Sequence, residues 1–382
     1  MKVALINKVF SLGYGGGERY GVNLAKSLCS KGIEVHLFGT VVEDVPSEAV
    51  VHSVTAPVRP GFARVTGFVS HTRPMVQAQD FDIVYSLTQY YPVHVLRVGG
   101  GVHKHWMTLR FPGSVHRFFR YLLSPVNLAH LYLELKMYNP KNYQKIITNS
   151  NLCKSHVSLY YHVPATSIEV IYTGVDHRIF NPGIREQHRK SQRGVLGLSE
   201  EDIGLLFVSN NWKRKGMESI LLALALLGKD AGCFKLIGVG KGKKRHFVSM
   251  AKKLGLYSQI RFLEPTREIE RYYAAADVFV LPTQYDPFSN ACLEAMSCGL
   301  PVITSRCNGA SEIIEHRKNG FIMEHADNVK SLAFYLTCLL DHGARESIGL
   351  QAAESVRHLT VERNMDETLN VFKGIMASNF NH

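Results

Sequence analysis

The chain has 382 residues, 46% apolar and 20% charged, which is length for two domains with their own cores and a composition that excludes a disordered chain. Its apolar runs, such as 220–227, fall far short of the about 18 residues that span a bilayer, the run after Met1 is too short for a signal peptide, and seven cysteines without a Cys-x-x-Cys pair argue against a disulfide framework or structural zinc and for a reducing compartment, the cytoplasm. The formal charge of +12 lies mainly in the first part, with 17 Lys and Arg against 9 Asp and Glu through residue 170 and 27 against 23 beyond it, a bias that suits nucleic acid, an anionic membrane or an acidic saccharide.

Residues 3–6 read as a buried strand. The loop Ser11-Leu12-Gly13-Tyr14-Gly15-Gly16-Gly17-Glu18-Arg19 then leads into a helix that runs through Ser30. Strand, glycine loop, helix is an order that lets backbone amides approach a phosphate, although the spacing is neither the dinucleotide fingerprint nor the P-loop pattern, and a flexible turn would read the same way. Strands follow at 33–38 and 81–86. Asp80 and Asp82 form an acid-x-acid pair that could hold a metal, but they precede a strand, away from the carboxyl ends where parallel sheets bind ligands, so no metal is expected.

Residues 93–98 form a strand that ends in Gly99-Gly100-Gly101-Val102-His103-Lys104-His105-Trp106. A histidine just past a strand end can meet a ligand; His103 is the first choice and His105 the second. The segment 104–145 carries Lys104, Arg110, Arg117, Arg120, Lys136, Lys141 and Lys145 against one acid, Glu134. Interleaved with these are Trp106, Phe111, Phe118, Phe119, Tyr121, Leu122 and Leu123. Cations mixed with aromatics and leucines describe an interfacial helix on an anionic membrane. They also fit single-stranded nucleic acid or a core helix with a solvated basic face.

Residues 146–149 complete the first domain, and 170–176 begin the crossing. The polar, basic stretch 183–195 reads as a linker. The second domain opens with a strand at 204–208, then Asn210-Asn211-Trp212-Lys213-Arg214-Lys215-Gly216 before a packed helix over 217–227. Adjacent cations at a helix start, in a loop after a strand, suit a pyrophosphate leaving group. Lys241 to Arg245 reads as a solvated loop, and strands follow at 234–237, 260–263 and 278–281.

Next comes Tyr285-Asp286-Pro287-Phe288-Ser289-Asn290-Ala291-Cys292-Leu293-Glu294-Ala295. It reads as loop into helix, with Ser289 the N-cap and Gly299 the residue past the C-cap. Amides of residues 288–291 at the helix start would face an anion, and the flanking carboxylates Asp286 and Glu294 would accept sugar hydroxyls. A strand at 302–304 ends at Cys307-Asn308-Gly309-Ala310, and the chain is helical beyond Asp327. The domains are 1–170 and 171–360, with 361–382 crossing back onto the first.

The frame of acid, seven residues, acid in Asp286 to Glu294 resembles the donor motif of the retaining glycosyltransferases of family four, in which the first acid is usually Glu. The glycine loop before Glu18-Arg19 and the run Arg214-Lys215-Gly216 are similar to that family's Gly-Gly-x-Glu-Arg and Arg-Lys-Gly segments. The resemblance covers nearly the whole chain. It implies the GT-B fold, two doubly wound Rossmann-like α/β domains facing a cleft, and transfer of a hexose from a nucleotide diphosphate sugar with retention and without a metal or other cofactor. Arg214, Lys215 and the amides of Gly15, Gly16 and Gly17 would neutralise the leaving diphosphate. Asp286, His103 and the amides of Phe288, Ser289, Asn290 and Ala291 would orient the hexose, and Glu294 would hold the ribose. Relatives with lipid-linked acceptors contact membranes through the region of 104–145, which favours a membrane over nucleic acid. His105, Arg110, Arg117 and Arg120 would then serve the acceptor or the membrane at the inner face of the bilayer. Relatives acting on lipopolysaccharide core often have Gly-Asp-Gly where this chain has Gly99-Gly100-Gly101. A UDP-sugar donor and a glycolipid or saccharide acceptor are thus the expected partners. Two alternatives stay open: a GT-B nucleotide-sugar epimerase, and a non-catalytic scaffold that binds the nucleotide sugar.

Overall fold

The computed structural model describes residues 1–13, 15–55 and 61–379, with the backbone but not the side chains of His116, Phe118, Leu122 and Asn379. Tyr14 of the glycine loop and the side chains of Phe118 and Leu122 in the basic aromatic segment therefore lie outside the described residues. The chain divides into two compact units, residues 1–172 with the stretch from Glu362 onward, and Thr173–Val361.

In the first unit the strands are β1 (Lys2–Ile6), β2 (Val9–Phe10), β3 (Glu34–Gly39), β4 (Val41–Val42), β5 (Val50–Ser53), β6 (Ile83–Ser86), β7 (Val95–Val98), β8 (Lys145–Thr148) and β9 (Ile168–Val170). The helices are α1 (Gly16–Ser30), α2 (Phe62–Gln77), α3 (His103–Arg110), α4 (Ser114–Leu122), α5 (Pro125–Met137) and α6 (Asn151–Tyr161). The main sheet is parallel in the order β5-β3-β1-β6-β7-β8-β9. Strands covered on both faces need apolar side chains in both directions, and Val3, Ala4, Leu5 and Ile6 are all fully buried. Pairing of β6 with β7 starts at Val95 rather than at residue 93, because the His94 Nδ1 accepts the Val84 N–H at 2.8 Å, where a ladder carbonyl would otherwise stand. Asp82, of the acid-x-acid pair, accepts the Lys2 N–H at 2.6 Å and so anchors the start of β1.

The second unit holds α7 (Ile184–Leu196), β10 (Ile203–Val208), α8 (Met217–Leu226), β11 (Phe234–Val239), α9 (Lys244–Lys253), β12 (Ile260–Leu263), α10 (Glu270–Ala275) and β13 (Val278–Leu281). It continues with α11 (Asn290–Ser297), β14 (Val302–Ser305), β15 (Gly320–Met323), α12 (Val329–Cys338) and α13 (His342–Val356). Its sheet is parallel in the order β12-β11-β10-β13-β14-β15. Numbered within each unit's main sheet, both orders begin 3-2-1-4-5-6, the doubly wound pattern whose switch point lies beside the first strand. Those points are between β1 and β6 in the first unit and between β10 and β13 in the second. The last helix, α14 (Val361–Asn379), returns to the first unit. There the Tyr20 and Thr368 hydroxyls lie 3.3 Å apart and the Tyr85 and Phe372 rings stack edge-on at 5.1 Å.

The stretch expected to be a linker is instead helix α7. Arg185, Arg189 and Arg193 stand four residues apart, so they share one helix face, and all three reach the Asp277 carboxylate at 3.3, 2.7 and 3.0 Å. The same carboxylate accepts the Gly204 N–H at 2.8 Å. The polar composition that reads as solvated is a buried ion cluster fastening α7 to the sheet.

Candidate functional site

In the second unit two loops leave the sheet at its switch point. The loop after β10 is folded around Trp212, whose buried indole N–H donates to the Ser209 carbonyl at 2.8 Å. Gly216 ends this loop at φ +86°, and a Cβ there would stand 2.1 Å from the Pro282 carbonyl oxygen, so only glycine lets the loop press against the end of β13. The two loops are stitched together, since the Gln284 N–H donates to the Arg214 carbonyl at 2.8 Å. The Lys215 ammonium meets the Asp286 carboxylate across them. Lys215 is only 8% and Asp286 9% exposed. Burial and the adjacent Arg214 guanidinium push the Lys215 ammonium down to about 7, and the touching carboxylate opposes both by favouring the charged form. Arg214 itself is half-buried.

Asp286 is held by its backbone, donating to the Cys307 carbonyl and accepting from the Gly309 N–H, both at 2.9 Å. Asn308, fully buried between them, accepts the Ser289 and Ala310 N–H groups at 3.1 Å each and donates to Thr304 Oγ1 at 2.9 Å. Helix α11 starts beside it, capped by Ser289 Oγ, which accepts the Cys292 N–H at 3.3 Å. Ser289 thus uses its amide, and its hydroxyl oxygen as an acceptor, inside the chain. Asn290 and Ala291 supply first-turn amides that lack an intrahelical acceptor. Glu294, a turn further on, accepts the hydroxyl of the fully buried Tyr273 at 2.8 Å, which fixes its carboxylate.

In the first unit the chain leaves β1 at the other switch point and reaches the glycine loop through β2. Its early part is tied down, the Leu12 N–H to Asp44 at 2.9 Å and the Gly13 N–H to Ser11 Oγ at 3.1 Å. Gly15 is the N-cap of α1 and supplies no side-chain cap. Gly16 and Gly17 belong to the helix rather than to the loop, and a Cβ on Gly17 would meet nothing within 4 Å. An uncapped helix start with open space at its first turn is suited to an anion.

His103 opens α3, after β7 and Gly101. Its ring centroid is 4.9 Å from that of His130, its Nε2 is buried with no hydrogen-bond partner among the described residues, and burial, then His130, lowers its pKa to about 4. His105 points to a different role: its ring stacks on His156 at 3.6 Å and its Nδ1 lies 3.2 Å from the Tyr160 hydroxyl, so packing onto α6 accounts for it. Three expected cations gather round one aromatic. Arg110 and Arg120 lie over the Phe111 ring at 5.3 and 5.2 Å, and Arg117 donates to the Phe111 carbonyl at 3.2 Å. No residue of α4 with a described side chain is buried, and Phe119 is 50% and Leu123 76% exposed.

The residues missed in sequence are Asn308, Tyr273 and Glu134. Asn308 was visible as a capping residue past a strand end; nothing near Tyr273 or Glu134 in sequence marks their partners. Among the described residues no group of three or more His, Cys, Asp or Glu side chains is placed to hold a metal ion. Nor, among those residues, is any helix long and apolar enough to cross a membrane.

Residues 14–178 match the model of Glycosyltransferase Family 4 and residues 202–342 that of Glycosyl transferases group 1. An uncharacterized glycosyltransferase of Methanocaldococcus jannaschii is 30% identical over 60% of this chain and 60% of its own length. A D-inositol 3-phosphate glycosyltransferase of Corynebacterium diphtheriae is 22% identical over 91% of this chain and 86% of its own length. Among solved structures, WaaG, a glycosyltransferase involved in lipopolysaccharide biosynthesis, superposes with a TM-score of 0.85 at 19% identity, covering 97% of this chain and 100% of that one. HepE of Anabaena, in complex with UDP and glucose, gives 0.73 at 19% identity, covering 98% and 100%. At such identities these structures speak for the fold, the two Rossmann-like halves of GT-B. The first part of the chain thus carries a Glycosyltransferase Family 4 domain and the second a Glycosyl transferases group 1 domain, which together account for most of its length and make it a glycosyltransferase.

Proposed function

We propose that the protein transfers a hexose from a UDP-sugar to a glycolipid or saccharide acceptor, with retention of anomeric configuration and without a metal. The observation that carries this reading is the contact of Lys215 with Asp286, which are 71 residues apart in sequence and are brought together where doubly wound sheets bind ligands. A cation and a hydroxyl acceptor side by side, next to the amides of α11, match the needs of a sugar diphosphate. Lys215 and Arg214 would neutralise the diphosphate as the bond from the anomeric carbon to its oxygen breaks. Asp286, His103 and the Phe288, Asn290 and Ala291 amides would orient the hexose, Glu294 would hold the ribose, and the Gly15 to Gly17 amides would face phosphate. No side chain is needed as nucleophile: the acceptor oxygen bonds to the anomeric carbon on the face the diphosphate leaves, and its proton passes to the departing phosphate oxygen. The arginines around Phe111, with the exposed Phe119 and Leu123, suit an anionic membrane at its cytoplasmic face, where a lipid-linked acceptor would stand.

The test is transfer from UDP-hexoses in chelator-treated buffer, with glycolipid acceptor in anionic vesicles. Transfer with an unchanged anomeric configuration supports the reading. Release of an epimerised free sugar would replace it with the epimerase, and binding without turnover with the scaffold.

A further inference from the structure

Glu134 is the one acid in the basic segment, and it is 1% exposed. Its carboxylate lies at the start of another helix. The Oε1 accepts the His103 N–H at 2.5 Å, and the Oε2 accepts the Lys104 N–H at 3.0 Å and the Tyr161 hydroxyl at 2.6 Å. His103 and Lys104 are the first residues of α3, whose N-cap, Val102, has no side chain able to accept a hydrogen bond. A carboxylate from α5, 30 residues downstream, thus does for α3 what a local Ser or Asp does elsewhere, and places negative charge at the positive end of the helix. The same α5 approaches the His103 side chain through His130, whose Nδ1 is in turn fixed at 2.6 Å from Gln89 Oε1. His103 is therefore bracketed, its main chain by Glu134 and its ring by His130, while its Nε2 finds no hydrogen-bond partner among the described residues.

Taking as given the hexose contact assigned to His103 above, we propose that Glu134 is a positioning residue for sugar transfer, which caps α3 from α5 and thereby sets where the His103 imidazole is presented. Tyr161 completes the device by satisfying the second carboxylate oxygen. A buried acid here would otherwise be a cost without a return.

The experiment compares Glu134→Gln, nearly isosteric, in the wild-type chain and in a His103→Ala chain. The amide keeps one acceptor oxygen but turns an NH2 toward the second N–H of α3, so the first turn frays. The expected result is a fall in kcat of about tenfold to a hundredfold, the scale of a displacement of about 1 Å in a positioning group. The KM for the donor should stay within about twofold, because the residues proposed to hold the nucleotide belong to the second unit and Glu134 acts on α3 of the first. In the His103→Ala background the same change should cost less than about twofold, since a residue that acts through another has nothing left to act on. Glu134→Asp should recover part of the lost rate. Equal losses in both backgrounds would overturn the proposal, by showing a general loss of folding. Amide hydrogen exchange of the intact chain needs no substrate: in Glu134→Gln the His103 and Lys104 amides should exchange at least about tenfold faster, with β1 and β8 unchanged. Unchanged protection of those amides overturns the cap whatever the kinetics show. A wild-type chain that transfers no sugar, yet loses that protection on substitution, would retain the cap and remove the function proposed above.

Discussion

Lys215 brings a charge into a site from which water is largely excluded, and Asp286 is what makes that possible. In the proposed reaction the pair loosens as the sugar diphosphate enters, freeing the ammonium for the leaving group while the carboxylate turns to hexose hydroxyls. Lys215→Ala should lower turnover by at least about two orders of magnitude; a steady-state rate near wild type would remove Lys215 from the mechanism. Asn308→Ala should leave the Ser289 and Ala310 N–H groups unsatisfied, at about 1–3 kcal/mol each, and should weaken donor binding by releasing the loop that carries Asp286. Denaturant melts and a donor titration read the two effects separately. At this scale the individual residues were legible and their partners were not. Arg214, Lys215 and Asp286 stand out in loops that follow apolar strands, and Glu294 by its spacing from Asp286 in the helix beyond. That Lys215 would neutralise Asp286 rather than stand open to solvent depends on Gly216 folding one loop onto the next, a contact with no local signature.

Among the elements, buried parallel strands were the easiest to read, because Val, Ile and Leu must fill both faces: residues 278–281 are β13 in sequence and in structure. Helix α11 was equally plain, from its Ser289 cap to Gly299 at φ +75°. Helix α7 was hidden, because its cohesion comes from three cations on one distant carboxylate and not from an apolar stripe. That cluster gives the largest stability effect expected here. Asp277→Asn should leave three guanidinium groups facing each other half-buried or buried, and cost about 3–5 kcal/mol, seen as a lowered melting transition for the second unit. A change under about 1 kcal/mol would mean that the arginines relax into solvent and that the cluster contributes little.

For the molecule as a whole, acid should act first on the unit with the histidine clusters. His103, His105 and His156 are each pushed down to about 4, chiefly by burial. Unfolded, each takes up a proton near its ordinary value of 6.5, so between 6.5 and 4 the unfolded chain binds more protons and the folded state loses stability as pH falls. Calorimetry should show the first unit's transition moving steadily down across that window, and a flat transition would contradict the buried neutral imidazoles. The overall architecture follows from two sequences of strands in the same doubly wound order, and both switch points carry the loops that sequence reading had singled out.

The most direct test of the account is a thermal-shift series on the purified protein, without metal, against UDP, GDP, ADP and dTDP and then their sugars, with Lys215→Ala alongside. The account predicts a selective shift with UDP and its hexose, worth about 2.7 kcal/mol at a hundredfold excess over the dissociation constant, and a much smaller shift in the variant. Flat melting curves for every nucleotide, or an equal shift in Lys215→Ala, would contradict it.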